Sequence, residues 1–194
     1  GVDLTLSTVN IQNKSFSWFS DFSLSHNREK IKELASGQLK DEANAWFVGE
    51  PFKVFYDYKK EGIWQLGEEA AAAANGQEPG DIKVQDVDGN GVITTDDRII
   101  YSQRPDVTFG FNNTFNYKGF DLSVFLYARL GQWIAYDYNT TYRINALENG
   151  GNVDYWTPEN PTNAFPRPNK SKSYTQVTYY STLKYEDGSF FKIR

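Results

Sequence analysis

Residues 86–97 carry the densest potential chemistry in the chain: Asp86, Asp88 and Asn90 at positions 1, 3 and 5, Gly91 at position 6, and Asp97 at position 12. Alternate oxygen-bearing residues on a tight turn can aim their ligands at one point, and a hard cation wants only oxygen. The spacing therefore predicts a Ca²⁺ loop. Asp86, Asp88, Asn90 and Asp97 would bind through side chains, Val92 through its carbonyl, and Thr94 at position 9 through a water. Asp97 is shorter than the Glu usual at position 12, and no amphipathic helix precedes the loop. The expectation is an isolated structural loop rather than a paired calcium switch. The competing reading is an Asp/Asn/Gly-rich surface turn that binds nothing.

A second candidate lies at Tyr155 and Trp156, within the run Asp154-Tyr155-Trp156-Thr157-Pro158-Glu159-Asn160-Pro161. Flat rings there could stack on sugars or meet a partner protein. The plainer reading, which we prefer, is a proline-stiffened loop packing its own Trp.

Catalytic constellations are missing. His26 is the only His and there is no Cys, so neither a zinc site nor a cysteine nucleophile can be assembled. No Gly-x-Ser-x-Gly elbow occurs. The adjacent acids Glu68/Glu69 and Asp96/Asp97 point apart. Gly89-x-Gly91 sits among carboxylates that would repel phosphate. The chain does not read as an enzyme. Its net charge of −5, with no basic cluster, argues against nucleic acid as a partner.

The elements that must carry these loops are β-strands. Aromatics make up 16% of the 194 residues, yet the mean hydropathy is only −0.62. That pairing suits sheets with one apolar and one wet face. Residues 2–11 alternate, with Val2, Leu4 and Leu6 on one side. After a break at Gln12-Asn13-Lys14, Phe16, Trp18, Phe22 and Leu24 share a face opposite Ser17, Asp21, Ser23 and Ser25. A second hairpin puts Val107, Phe109, Phe111, Phe115 and Tyr117 on one face, with Asn113 among them. It turns at Lys118-Gly119 and returns through Phe120, Leu122, Val124 and Leu126. Each arm is about 9–11 residues, the length that crosses a bilayer when tilted. Further strands are expected at Val177–Tyr185 and Ser189–Ile193. No run is long and apolar enough for a transmembrane helix.

Two stretches do not alternate. Residues 46–105 hold the calcium-like loop and a short helix expected at Glu68–Ala74, stopped by Asn75-Gly76. Residues 132–175 hold Pro158, Pro161, Pro166 and Pro168. Short turns at one end of the strands and long loops at the other is the asymmetry of an outer-membrane barrel, with both stretches extracellular. Trp18, Tyr117, Phe120 and Tyr127 would stand at the membrane interfaces. Alternation alone favours a soluble, calcium-stabilised β-sandwich, such as a glycan-binding module of a secreted protein, because soluble sheets are common and alternate too. With neither Met nor signal peptide, the chain reads as a piece of a longer or processed protein.

Several pieces, in order, carry a family resemblance. They are Gly1-Val2-Asp3-Leu4-Thr5-Leu6, Trp46-Phe47-Val48-Gly49-Glu50-Pro51, Tyr56-Asp57-Tyr58, Pro79-Gly80-Asp81-Ile82-Lys83 with the calcium-like loop, and Arg104-Pro105-Asp106. Phe109-Gly110-Phe111-Asn112-Asn113, Tyr117-Lys118-Gly119-Phe120-Asp121-Leu122-Ser123-Val124-Phe125, Tyr155-Trp156-Thr157-Pro158, Asn160-Pro161-Thr162 and Asp187-Gly188-Ser189-Phe190 complete the set. Together they resemble the C-terminal part of SusC/RagA-type TonB-dependent outer-membrane transporters over essentially the whole chain. The resemblance implies a segment of a 22-stranded antiparallel transmembrane β-barrel with an N-terminal plug. It implies the outer membrane of a Gram-negative bacterium, with outer-membrane lipid around the barrel. A SusD-like surface lipoprotein would cap the barrel, TonB would energise it through the missing N-terminal part, and glycans or peptides would be the cargo.

Overall fold

The structure, a computed structural model, describes residues 1–35, 37–138, 152–169, 171 and 176–194. In chain order its elements are β1 (Val2–Gln12), β2 (Phe16–His26), β3 (Lys40–Asp41), β4 (Trp46–Phe47), β5 (Val54–Tyr58), β6 (Lys60–Ile63), α1 (Glu69–Ala74) and β7 (Ile82–Val84). A 3₁₀ turn at Thr95–Asp97 follows, then β8 (Arg98–Ser102), β9 (Val107–Tyr117), β10 (Phe120–Leu130), β11 (Trp133–Ala135), a 3₁₀ helix at Tyr180–Lys184, β12 (Tyr185–Asp187) and β13 (Phe190–Ile193). The described residues form two compact units.

The first unit holds an open five-stranded antiparallel sheet in the order β1-β2-β9-β10-β13. Its first four strands are 11 residues each, as long as a tilted transmembrane strand. Register turns the sequence alternation into continuous rows. Leu6, Phe22, Phe111, Leu126 and Ile193 make one apolar row, and Leu4, Leu24, Phe109, Ala128 and Phe191 the next. Trp18 stacks on Phe115 at 5.7 Å, and Phe22 meets Phe111 edge-on at 6.4 Å. Nothing in the unit covers this face at its β1 edge, where Leu4 and Leu6 stay exposed. On the other side Ser7, Asp21, Asn112 and Phe125 share a rung, as do Thr5, Ser23, Gly110 and Tyr127.

Both hairpin turns are built by local chemistry. Lys118 and Gly119 take φ of 46° and 86°, the paired positive values whose twist matches that of the flanking strands. Asn13 Oδ1 accepts the Ser15 and Phe16 N–H groups and closes the other turn. One feature of the apolar face was not legible in the alternation. Asn113 Oδ1 accepts from Trp18 Nε1 at 3.0 Å and from Ser20 Oγ at 2.7 Å, while Asn10 Nδ2 donates to Ser20 at 2.6 Å. Asn10 follows Leu6 and Thr8 onto this side by alternation, and the bulge between Val9 and Ile11 turns Ile11 to it as well, opposite Trp18. Polar groups on an apolar face are tolerated when they satisfy one another.

The second unit comprises residues 56–100 and 134–186. The stretch read from sequence as irregular has its own core: Ile63, Ile82, Val84, Trp156, Tyr180 and Leu183, with Tyr58, Ile93 and Phe165 packed against it. β6 and β7 pair there as a short ladder. The expected helix forms as α1, with Glu68 just before its first residue and Asn75 just after its last. Lys83 Nζ pairs with Glu68 at 2.8 Å and lies over the Trp64 ring.

The strand expected over Val177–Tyr185 is a correction. Tyr179 takes a left-handed φ of 62°, and its carbonyl accepts both the N–H and the hydroxyl of Thr182. The chain coils into 3₁₀, placing Tyr180 and Leu183, three residues apart, on one side and into the core. Strand begins only at Tyr185, in β12, which pairs with β11. Parts of the expected 132–175 loop lie outside the described residues. Among the described residues no helix could cross a membrane, which says nothing of strands.

Candidate metal loop and loop aromatics

The loop at 86–97 is shaped by its own carboxylates. Asp86 accepts the N–H groups of Gly89 at 2.8 Å and Gly91 at 2.7 Å. Asp88 accepts from Asn90 N–H and Nδ2, and Asn90 Oδ1 accepts from Val92 N–H at 2.8 Å. Gly89 and Gly91 are both left-handed, which suits residues without a Cβ at a sharp reversal.

Asp97 ends the loop and is fully buried. Its Oδ1 accepts Val87 N–H and its Oδ2 accepts Thr94 N–H, while Thr94 Oγ1 accepts Asp96 N–H. This capping box opens the 3₁₀ turn. The Thr94-x-x-Asp97 spacing was its sequence signal, masked by the ligand reading of the same residues. The N–H donors of Thr94, Val87 and Asp88 hold the Asp97 carboxyl below its ordinary range despite burial.

One carboxylate oxygen each from Asp86, Asp88 and Asp97 lies within 4.8 Å of the others. Ligands at about 2.3–2.6 Å from one Ca²⁺ stand no farther apart than roughly 5 Å. The fold thus gathers the three acids that the spacing picked out, with Asn90 bonded to Asp88 beside them. Val92 lies on the same turn with an exposed side chain. Asn75, which the sequence offered only as a helix stop, staples the loop from outside: its Oδ1 accepts Ile93 N–H at 2.8 Å, and its Nδ2 donates to Gly91 O.

Tyr155 and Trp156 part company. Trp156 is 5% exposed and belongs to the core, with Nε1 donating to Gln65 Oε1 at 2.8 Å. As a sugar platform it is corrected: its ring faces are taken by protein. Gly80, at φ 90°, lets the chain pass so close that a Cβ would stand 2.6 Å from Trp156. Arg167 crosses the same spot and pairs with Glu78 and Asp81. Tyr155 stays 42% exposed. Asp154 anchors the loop by accepting from Thr162 and Asn160, bonds that pull its carboxyl below the ordinary range.

Comparison with known proteins bears on both units. TonB-dependent receptor P3 of Formosa agariphila is 32% identical over 100% of this chain and 20% of its own length. TonB-dependent receptor P26 of the same organism is 33% identical over 100% of this chain and 21% of its own. TonB-dependent receptor SusC of Bacteroides thetaiotaomicron is 27% identical over 71% of this chain and 14% of its own. In fold, a structure of the RagAB peptide transporter matches 98% of this chain and 21% of that chain, with TM-score 0.68 and 22% identity. The RagAB peptide importer in its 'closed-closed' state matches 99% of this chain and 21% of that one, at TM-score 0.65 and 22% identity. No family model matches. The chain spans about a fifth of the length of the P3 and P26 receptors. Its sheet is an open antiparallel piece of a transmembrane β-barrel rather than half of a sandwich. The chain is a barrel segment of a SusC/RagA-like TonB-dependent receptor.

Proposed function

We propose that the receptor containing this segment imports nutrient oligomers, glycans or peptides, across the outer membrane of a Gram-negative bacterium. A SusD-like surface lipoprotein would be its lid and TonB its energy source. The carrying observation is the sheet of 11-residue strands: one face is apolar and meets lipid, the other holds Asp21, Ser23, Asn112, Thr114, Asp121, Ser123 and Arg129 and lines a wet lumen. The match of the whole of this chain to about a fifth of two TonB-dependent receptors supports this reading. The two long loops would then be extracellular, where Tyr155 could meet cargo or lid. Its part is transport and not catalysis.

The test is to extract the full-length receptor from outer membranes in mild detergent and identify co-purifying molecules by mass spectrometry. A surface lipoprotein with an oligosaccharide or peptide is the expected result. Recovery in the soluble fraction without a lipoprotein would return the argument to a secreted β module.

The acidic loop we assign to Ca²⁺, held by Asp86, Asp88, Asn90, the Val92 carbonyl and Asp97, with Thr94 acting through water. The ion's part would be structural, neutralising three acids that otherwise repel. Calcium titration by calorimetry should give heat of binding that Asp86→Ala abolishes. No heat, with the variant behaving as wild type, would sink the assignment.

A further inference from the structure

Asn-Gly pairs occur at 75–76, 90–91 and 149–150, and they carry a chemistry that transport does not use. An asparagine loses ammonia when the main-chain nitrogen of the next residue attacks its side-chain carbonyl carbon. Glycine is the least obstructive residue at that next position, because it has no Cβ to hinder the approach. Asn149 lies outside the described residues. The other two pairs meet opposite surroundings. Asn75 is clamped: its Oδ1 accepts Ile93 N–H, and its Nδ2 donates to Ala71 O and Gly91 O. Gly76 N–H donates to Ala73 O at the end of α1. Attack at Asn75 therefore requires the helix end and the staple to open first.

Asn90 and Gly91 are both exposed. Gly91 N–H donates to Asp86 Oδ2 at 2.7 Å, so the attacking nitrogen already faces a group that can take its proton. Asn90 Oδ1 accepts Val92 N–H at 2.8 Å, a donor aimed at the oxygen on which negative charge develops during attack. Gly91 holds φ of 84°, and nothing stands within 4 Å of the place a Cβ would take, which leaves the turn room to close a ring. The neighbouring pair Asp88-Gly89 is held in a similar way, with Gly89 N–H on Asp86 Oδ1. An ionised carboxylate, however, offers attack no comparable leaving group.

We infer that Asn90-Gly91 is a site of spontaneous deamidation, activated by the fold of its own loop. Asp86 takes the proton from Gly91 N as that nitrogen bonds to Asn90 Cγ, and Val92 N–H holds the oxyanion. The tetrahedral intermediate collapses with cleavage of the Cγ–Nδ2 bond. The proton passes from Asp86 to the leaving nitrogen, and ammonia departs. Water then opens the cyclic imide at either carbonyl, giving aspartate or isoaspartate; nothing is oxidised or reduced. Both products alter the loop. Aspartate adds a carboxylate at position 5 beside Asp86, Asp88 and Asp97. Isoaspartate carries the main chain through Cγ, which lengthens the turn and shifts Gly91 away from Asp86. The inference concerns the loop's own chemistry and stands apart from both the import reading and the Ca²⁺ assignment.

The test ages the full-length receptor in detergent, chelator and heavy-oxygen water, then digests it with trypsin in ordinary water. Cleavage after Lys83 puts Asn75 and Asn90 on different peptides. Mass spectrometry reads the heavy oxygen that each new carboxylate carries, and chromatography separates aspartate from isoaspartate. Labelled aspartate and isoaspartate should appear at Asn90 at least about tenfold faster than at Asn75, which reacts only after local opening. Conversion of Asn90 in the folded receptor should be no slower than in the same receptor unfolded in guanidinium. Asp86→Asn should slow it roughly tenfold or more. Equal rates at Asn75 and Asn90 in the folded receptor, faster conversion of Asn90 in the unfolded chain, or an Asp86→Asn rate equal to wild type would each overturn the inference. Heat-modifiable migration in gels checks that the variant forms a barrel. Where it fails this check, the folded and unfolded rates of the wild type decide alone.

Discussion

Replacing Trp156 by Ala removes a ring that is wedged against Gly80 and hydrogen-bonded to Gln65, whereas its neighbour Tyr155 is open to solvent. The two substitutions should therefore differ sharply. Trp156→Ala leaves a cavity in the second unit's core and an unpaired Gln65 carbonyl, and should cost about 3–5 kcal/mol. Tyr155→Ala should stay within roughly 0.5 kcal/mol, as surface changes do. Chemical denaturation of the refolded receptor, followed by Trp fluorescence, measures both. If Tyr155→Ala lowers cargo binding without touching stability, the exposed ring is a contact. At this scale the spacing of the acids was the most legible feature: Asp86, Asp88 and Asp97 each place a carboxylate oxygen within 4.8 Å of the others. The supporting contacts were not. Asn75 reaches Ile93 and Gly91 across 18 and 16 residues of chain, and no local pattern encodes such a staple.

At the scale of elements, alternation proved a dependable guide where strands are long and their two faces meet different surroundings. The four 11-residue strands, their hairpin pairing and their register follow from it, because a slip of one residue would turn every apolar side chain to the wrong face. The signal failed at residues 177–185, whose apolar positions also suit a 3₁₀ turn. There Tyr179 could adopt the left-handed conformation and Thr182 could bond back to it, and the core took Tyr180 and Leu183 together. It failed too in the stretch 46–105, whose strands run two to five residues. These are too short to show a period, although together with the second loop they close a core. The long strands support a direct prediction. Leu122→Lys places a charge on the face that meets lipid and should cost roughly 2–4 kcal/mol near the bilayer midplane, less toward the interfaces. Ser123→Lys, one residue on and facing the other way, should be tolerated. The readout is the yield of heat-modifiable receptor in the outer membrane. Equal yields would mean that the faces have been assigned wrongly.

At the scale of the whole molecule, this chain supplies five strands of an open sheet together with a separately cored unit. An open sheet with an uncovered apolar face cannot be a finished soluble structure. Such a face is stable when lipid covers it and when the edge strands are paired by further strands. The remaining strands lie outside the roughly one fifth of the receptor length that this chain represents. Apolar residues alternate on the sheet for the same reason that polar ones do: each strand separates two solvents. The most direct test of that claim places an environment-sensitive fluorophore on single cysteines at successive positions 120–126. The described segment has no native Cys to interfere, and the full-length receptor is reconstituted in vesicles with and without brominated lipid. The account predicts strong quenching at 120, 122, 124 and 126 and weak quenching at 121, 123 and 125. Uniform quenching, or none at any position, would contradict the claim that this sheet stands in a membrane with one face to lipid and the other to water.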